Sequence, residues 1–135
     1  IQKQYKKRAF LHKHPQTLPD FDLKTIKAVQ GIGGVCNEGF KEWFDAFEYM
    51  KAEINKSNYD ICILGCGAYG FPLAAHVKRM GKKAIHMGGA TQMLFGIKGK
   101  RWEDEYGEFM NEHWIRPSKE ETPINAMKIE NGCYW

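Results

Sequence analysis

Long apolar runs are missing from this 135-residue sequence. No run approaches the ~20 apolar residues that a helix needs to cross a bilayer, so we predict no membrane span. The start of the chain also lacks the charged, apolar and small segments of a secretory signal. Hydrophobic residues still make up 43% of the chain, which is enough for a globular domain to bury a core without disulfides or metal.

A strong excess of one charge is missing as well. The net charge of +4 is small for a dedicated nucleic-acid binder, which concentrates far more Lys and Arg on one face, so we predict no nucleic-acid partner. Zinc-like cysteine pairs are also absent, and we predict no metal site within the chain. We expect reduced, buried thiols in a cytoplasmic protein. The four cysteines are Cys36, Cys62, Cys66 and Cys133.

The stretch 60–89 organises the rest of the sequence. An apolar run at 61–64 is followed by a glycine-rich segment at 65–70, a helix-like segment that ends at Gly81, and a second apolar run at 84–87. This order of strand, glycine loop, helix and strand predicts a βαβ unit. Because the run 61–64 is apolar at every position, we predict a strand that is buried on both faces, in a parallel sheet covered by helices on both sides.

Four other segments complete the predicted fold. Residues 1–14 have a roughly helical spacing, and residues 21–28 alternate as a half-exposed strand does. The apolar positions of 40–54 predict an amphipathic helix, capped by Asn37, whose aromatic stripe we assign to core packing. Residues 103–135 form an irregular, aromatic tail that we expect to wrap over the domain. The predicted fold is a single Rossmann-like three-layer α/β domain spanning the whole chain, with a mostly parallel sheet and this tail.

A phosphate-binding loop is the leading interpretation of the glycine-rich segment, which has the spacing G-x-G-x-x-G between a strand and a helix. Glycines at these positions permit a tight turn and a close approach of phosphate to the backbone, whose free N–H groups and helix dipole favour an anion. We therefore predict that the loop binds a phosphate or a nucleotide. The alternative is a glycine turn that only packs the helix close to the sheet. The predicted binding residues are Gly65, Gly67, Ala68, Tyr69 and Gly70.

Two side chains inside this loop invite a chemical role. Tyr69 is placed to stack on a base or to cover the pocket. Cys66 lies near a helix N-terminus, which would stabilise a thiolate. Since the sequence shows no base for it, we favour a small packing residue at Cys66.

The second strand lacks the acidic residue that a dinucleotide site uses to hold the ribose hydroxyls. It ends instead in His86, and an imidazole cannot replace the paired acceptors of a carboxylate, which argues against NAD. A histidine at the carboxyl end of a strand is placed to touch a ligand, either as a donor to phosphate or as a general base. We select His86 as the candidate catalytic residue, with a structural histidine as the alternative.

Three cations follow the second strand on the segment 96–102, which we predict to be a basic glycine loop. They are Lys98, Lys100 and Arg101. Such a loop suits a diphosphate, with arginine supplying a planar donor fork. The alternative is a solvated basic loop.

These residues together resemble a known group of proteins. The segment GCGAYGFPLAAHVKRMGKKAIHMGGATQMLFGIKGKRW, preceded by LPDFDLKTIKAVQ and followed by the terminal GCYW, resembles the C-terminal half of uncharacterised bacterial proteins associated with surface-polysaccharide biosynthesis. The order of glycine loop, helix and strand in that family is similar to the order in GT-D-fold glycosyltransferases. The resemblance covers nearly all of the chain, and residues 65–102 are its most specific part.

The resemblance implies a domain that uses a nucleotide-sugar donor, with its diphosphate near the glycine loop and near a second segment of Gly88, Gly89 and Gln92. We expect the sequence to be the C-terminal part of a longer protein. GT-D enzymes carry an acidic metal-binding motif in their N-terminal part, and no comparable Asp-x-Asp or Asp-x-Glu ends a strand here. A divalent metal is therefore an expectation for the longer protein.

Two other functions stay open, an NAD(P)-type oxidoreductase domain and a non-catalytic interaction module. A truncated parallel sheet also leaves an exposed edge, which makes a homo-oligomer compatible with the sequence.

Overall fold

A computed structural model describes residues 1–32, 35–36 and 39–135 of the protein. The chain forms two compact units. We call Ile26–Thr91 the βαβ unit, and Ile1–Thr25 with Gln92–Trp135 the terminal unit. The single domain expected from the sequence stays a prediction. Asn37, the expected helix cap, lies outside the described residues, as does the side chain of Cys36.

The secondary structure is mixed, with short elements throughout. In chain order the helices and strands are α1 (Gln2–Tyr5), α2 (Arg8–Leu11), β1 (Gly31–Ile32), β2 (Val35–Cys36), α3 (Trp43–Lys56), β3 (Ile61–Leu64), α4 (Gly70–Arg79), β4 (Lys83–His86), α5 (Ala90–Leu94) and α6 (Lys100–Tyr106). Single 3-10 turns occur at Pro15–Thr17, Gly67–Tyr69, Gly107–Phe109, Lys119–Glu121, Ala126–Lys128 and Glu130–Gly132. None of the helices in the described part of the chain has the length and apolar character that crossing a membrane requires.

The predicted order of strand, glycine loop, helix and strand is confirmed. β3 and β4 pair in parallel, with Ile61 opposite Lys83 and Leu64 opposite His86. The connection between them contains α4, which begins at Gly70 and carries Pro72 in its first turn. Proline is tolerated there because the first N–H groups of a helix have no intrahelical partner. The short strands β1 and β2 pair separately and antiparallel.

The prediction that β3 is buried on both faces is wrong. Leu64 is buried, but Ile61, Ile63 and Ile85 are 49%, 36% and 47% exposed. Within the described residues this sheet has two strands. The core packs on one of its faces, so alternate side chains point away from that core. The core of the βαβ unit consists of Val29, Ala46, Met50, Ile54, Leu64, Leu73 and Val77.

The amphipathic helix predicted for 40–54 is confirmed as α3, with a different start. Glu42 and Asp45 form a reciprocal capping box, in which the Glu42 backbone N–H donates to Asp45 at 3.3 Å. This pair satisfies N–H groups that the first helical turn leaves free. The side chains that α3 contributes to the core are Ala46, Met50 and Ile54.

The strand predicted for residues 21–28 is also wrong. All of these residues are described, and none lies in a helix or a strand. The hydroxyl of Tyr5 explains this at Phe21: it donates to the Phe21 carbonyl at 2.6 Å and accepts from the Phe21 N–H at 2.5 Å. Backbone groups need a partner when they leave water, and here a side chain supplies what a neighbouring strand would supply.

The terminal unit has its own core, built from both ends of the chain. Tyr5, Leu11, Leu18, Phe95 and Trp114 are its buried residues. The predicted N-terminal helix is divided into α1 and α2. The tail 103–135 contains the end of α6 and four 3-10 turns, and its packing over the whole domain stays a prediction.

Candidate functional site

The two parallel strands bring two glycine-containing turns to one edge of the sheet. β3 continues into the turn that holds Gly67, and β4 continues into Gly88 and Gly89. The N–H groups of Met87 and Gly88 both donate to the Leu64 carbonyl, at 3.0 and 3.2 Å. These bonds tie the two strand ends together. We call Gly65–Gly70 with Gly88–Gly89 the strand-end site.

Gly65 and Gly70 are glycines because of close packing. A Cβ atom on Gly65 would lie 2.5 Å from Thr91 Oγ1 and 3.0 Å from the Gly88 carbonyl oxygen. A Cβ atom on Gly70 would overlap the imidazole ring of His86. At both positions a Cβ atom would come closer to its neighbours than van der Waals contact allows. Gly65 in the turn and Gly70 at the start of α4 therefore approach their neighbours more closely than a larger residue permits.

Gly67 and Gly88 are glycines for a different reason. Their φ angles are +52° and +56°, in the left-handed region, and nothing lies within 4 Å of a Cβ atom built on either residue. Non-glycine residues seldom adopt these angles. The two glycines therefore permit sharp turns beside open space, an arrangement that leaves the backbone accessible to a ligand.

His86 lies within the strand-end site. It is the last residue of β4, its side chain is exposed, and its imidazole ring packs against Gly70 at the start of α4. The ring is therefore next to the glycine turn that follows β3. This position is compatible with both hypotheses for His86, a residue that contacts a ligand and a structural residue that packs against Gly70.

The ring of Tyr69 already has an aromatic partner. It stacks on Trp43, with centroids 4.9 Å apart and ring planes at 8°, and Trp43 in turn stacks on Phe47 at 5.0 Å and 16°. One face of Tyr69 is therefore occupied by α3. The sequence assigned the aromatic stripe of α3 to the core, and this is wrong for Trp43 and Phe44, which are 37% and 68% exposed.

Cys66 is a packing residue, as the sequence favoured. It packs against the core of the βαβ unit, and burial raises the pKa of its thiol to about 11. A thiol with this pKa stays protonated at neutral pH, and the thiolate is the nucleophilic form. Cys66 is therefore excluded as an activated nucleophile.

The remaining predicted binding residues belong to the terminal unit. Lys100 and Arg101 are in the first turn of α6, so the basic glycine loop predicted for 96–102 is wrong in its second half. Gly99 precedes this helix in extended backbone, and the Trp102 N–H donates to its carbonyl at 2.9 Å. That bond begins the helical turn. Lys98 lies beside a parallel bridge between Ile97 and Ile115.

Gln92 and Arg101 have partners within the tail. The Gln92 amide donates to the Tyr134 carbonyl at 2.9 Å and accepts from the Trp102 indole at 3.1 Å. The Arg101 guanidinium pairs with Glu130 and donates to the Tyr134 hydroxyl. These contacts hold the C-terminal residues, and they occupy donors of Gln92 and Arg101 that we expected to bind a diphosphate. Sequence spacing contained no signal for the partners Glu130 and Tyr134, which lie 29 to 42 residues away from Arg101 and Gln92.

A cavity of about 310 Å³ opens beside these contacts in the terminal unit. Its lining mixes cations and carboxylates: Lys100, Arg101, Asp104, Glu105, Glu130, Asn131 and Cys133. The pairing of Arg101 with Glu130 neutralises one charge of each sign there. Among the residues that the structure describes, no three His, Cys, Asp or Glu side chains come together as a metal site.

Comparisons with known proteins returned no match for this chain, whether against protein-family models, curated proteins or solved structures. A function for this chain must therefore be inferred from the geometry of the strand-end site and from the resemblance of residues 65–102.

Proposed function

We propose that this chain is the nucleotide-sugar-binding part of a glycosyltransferase-like protein that serves surface-polysaccharide synthesis. The diphosphate of the donor binds at the strand-end site. The observation that carries this proposal is the pair of open, left-handed glycines, Gly67 and Gly88, on strand ends joined through the Leu64 carbonyl. The Gly88 N–H is used by the Leu64 carbonyl and the Gly70 N–H by the Gly67 carbonyl, so the donors that we propose for the phosphates are the N–H groups of Gly65, Gly67 and Ala68. The helix α4 adds the positive end of its dipole from Gly70 onward.

His86 completes the proposed site. Its exposed imidazole at the end of β4 donates a hydrogen bond to a phosphate oxygen or accepts a proton from the acceptor hydroxyl. The proposal rests on the turn residues Gly65, Gly67, Ala68 and Gly70, on Gly88 after β4, and on His86. Gln92 and Arg101 are left out because their polar groups bind the tail.

A specific fold for the βαβ unit is part of the same proposal. We assign the βαβ unit to a Rossmann-like three-layer arrangement, in which ligands bind outside the carboxyl ends of parallel strands. The exposed face at Ile61, Ile63 and Ile85 is where a third layer packs in such folds. We place the protein in the cytoplasm, where the free thiols of Cys62 and Cys66 remain reduced.

An oxidoreductase domain is the weaker alternative. The structure puts His86 at the end of β4, where a dinucleotide site uses a carboxylate to hold the ribose hydroxyls. The glycine turn serves either ligand, so the residue at the strand end decides between them. A hydride-transferring cofactor is therefore disfavoured by the same side chain that we propose to act on a sugar donor.

Calorimetric titration of the whole chain tests the proposal. We expect UDP or GDP, and the corresponding nucleotide sugars, to bind at moderate salt, and NAD(P)H to give neither heat nor a change in fluorescence. Binding of NAD(P)H without binding of the diphosphates would favour the oxidoreductase. Absence of any nucleotide binding by the chain would leave only a non-catalytic interaction module.

A further inference from the structure

An aromatic ladder joins α3 to the glycine turn of the strand-end site. We define it as Phe47, Trp43 and Tyr69 stacked in that order, with Phe44 set edge-on to Trp43 at 5.1 Å and 87°. Tyr69 is the last residue of the 3-10 turn that contains Gly67. The ladder is therefore continuous with the residues that we propose to bind the diphosphate.

The ladder extends from the hydrophobic core to the surface. Phe47 and Tyr69 pack against the core of the βαβ unit, whereas Trp43 and Phe44 are 37% and 68% exposed. A single exposed aromatic residue on a protein surface is ordinary. Here two exposed rings contact each other and connect to a glycine turn through Tyr69, which is the composition of a stacking surface.

The two phenylalanine rings that contact Trp43 differ in what covers them. The Lys51 ammonium group lies 5.3 Å from the centre of the Phe47 ring. The Phe44 ring contacts Trp43 edge-on and is otherwise largely open to solvent. A planar ligand group therefore has access at Phe44 and the adjoining edge of Trp43.

We propose that Phe44, supported by Trp43, stacks on the base of the nucleotide whose diphosphate binds at the strand-end site. This inference rests on the proposed function and adds the second recognition element of the ligand. Stacking on an aromatic ring contributes about 1–3 kcal/mol per base and tolerates different bases, since every base has a π-face. The glycine turn therefore fixes the phosphates and Phe44 fixes the base, with the ribose between them.

Replacement of Phe44 tests this assignment. We expect Phe44→Ala to weaken the binding of UDP and GDP about 5- to 150-fold, the range that corresponds to the loss of one base stack. Inorganic pyrophosphate, which has no base, is expected to bind both proteins equally. Phe44→Trp keeps an aromatic face and is expected to retain nucleotide binding. Phe109→Ala, which removes another exposed phenylalanine in the terminal unit, serves as the matched control.

The outcomes separate this inference from the proposed function. If UDP binds the original chain and Phe44→Ala binds it within about twofold, the base site at Phe44 is refuted while the proposed function stands. Equal weakening of pyrophosphate and UDP would refute it too, since the effect would not belong to the base. If the original chain binds neither UDP, GDP nor pyrophosphate, both proposals fail together.

Discussion

Gly67→Val is expected to abolish UDP and GDP binding while the βαβ unit stays folded. Gly67 has a φ of +52°, and a β-branched residue at this angle is a genuine outlier, so the turn must change its backbone conformation. The N–H groups that face the ligand turn away with it. A hydrogen bond to a charged group contributes about 1.5–3 kcal/mol, so losing even one weakens binding at least about tenfold. Calorimetry on both proteins measures the difference.

Gly81→Val is the matched control for this experiment. Gly81 follows α4 in the same unit, has a φ of +76°, and has open space around its Cβ position. Valine therefore introduces the same kind of backbone strain there, without touching the strand-end site. We expect Gly81→Val to lose similar stability and to keep its nucleotide affinity. Equal affinity in both variants would show that the turn at Gly67 does not bind the phosphates.

Gly96→Ala is expected to produce the largest loss of stability in the terminal unit. Gly96 is buried with a φ of +62°, and a Cβ atom there would lie 2.8 Å from Leu11 Cδ2, on a side chain that is fully buried. A left-handed angle costs about 1–2 kcal/mol and overpacking a core about 1–3 kcal/mol, so the free energy of unfolding should fall by about 2–5 kcal/mol. Urea unfolding measures this change.

Gly107→Ala provides the comparison for Gly96→Ala. Gly107 has a φ of −55° and nothing within 4 Å of its Cβ position, so neither penalty applies. We expect its free energy of unfolding to change by less than about 0.5 kcal/mol. If Gly96→Ala were equally harmless, the close approach of Gly96 to Leu11 would not represent the folded protein.

The part of the fold that the sequence predicts well is local. The apolar run of β3, the glycines after it and the apolar run of β4 each carry their own signal, and they are adjacent in the chain, so their order gives the βαβ unit directly. The start of α3 was harder to place. Its capping box uses Glu42, and glutamate is uncommon at the N-cap position of a helix. Asparagine is a preferred N-cap residue, so the sequence favoured Asn37 instead.

The part that the sequence could not predict depends on distant partners. The Tyr5 hydroxyl replaces a strand as the partner of Phe21, and the tail occupies Gln92 and Arg101. Local spacing contains no record of either contact. The prediction that β3 is buried on both faces failed for a related reason. A run such as Ile61–Leu64 shows that a strand is apolar, but it does not show how many layers cover the sheet.

The aromatic ladder shows the same limit in the candidate site. An aromatic stripe at helical spacing is typical of core packing, and α3 does use part of its stripe in that way. Trp43 and Phe44 belong to the same stripe but contact each other outside the core. The stacking of Trp43 on Tyr69 depends on the fold, which brings α3 next to the glycine turn. The sequence could propose Tyr69 as a stacking residue, but it could not show that Trp43 takes one of its faces.

The central claim is that the strand-end site binds the diphosphate of a nucleotide through its backbone. Amide spectra of the isotope-labelled whole chain, recorded during titration with UDP and GDP, test it most directly because each glycine N–H reports separately. We predict that the largest shifts occur at Gly65, Gly67, Gly70 and Gly88. Unchanged signals from these four glycines at saturating UDP and GDP would contradict the account.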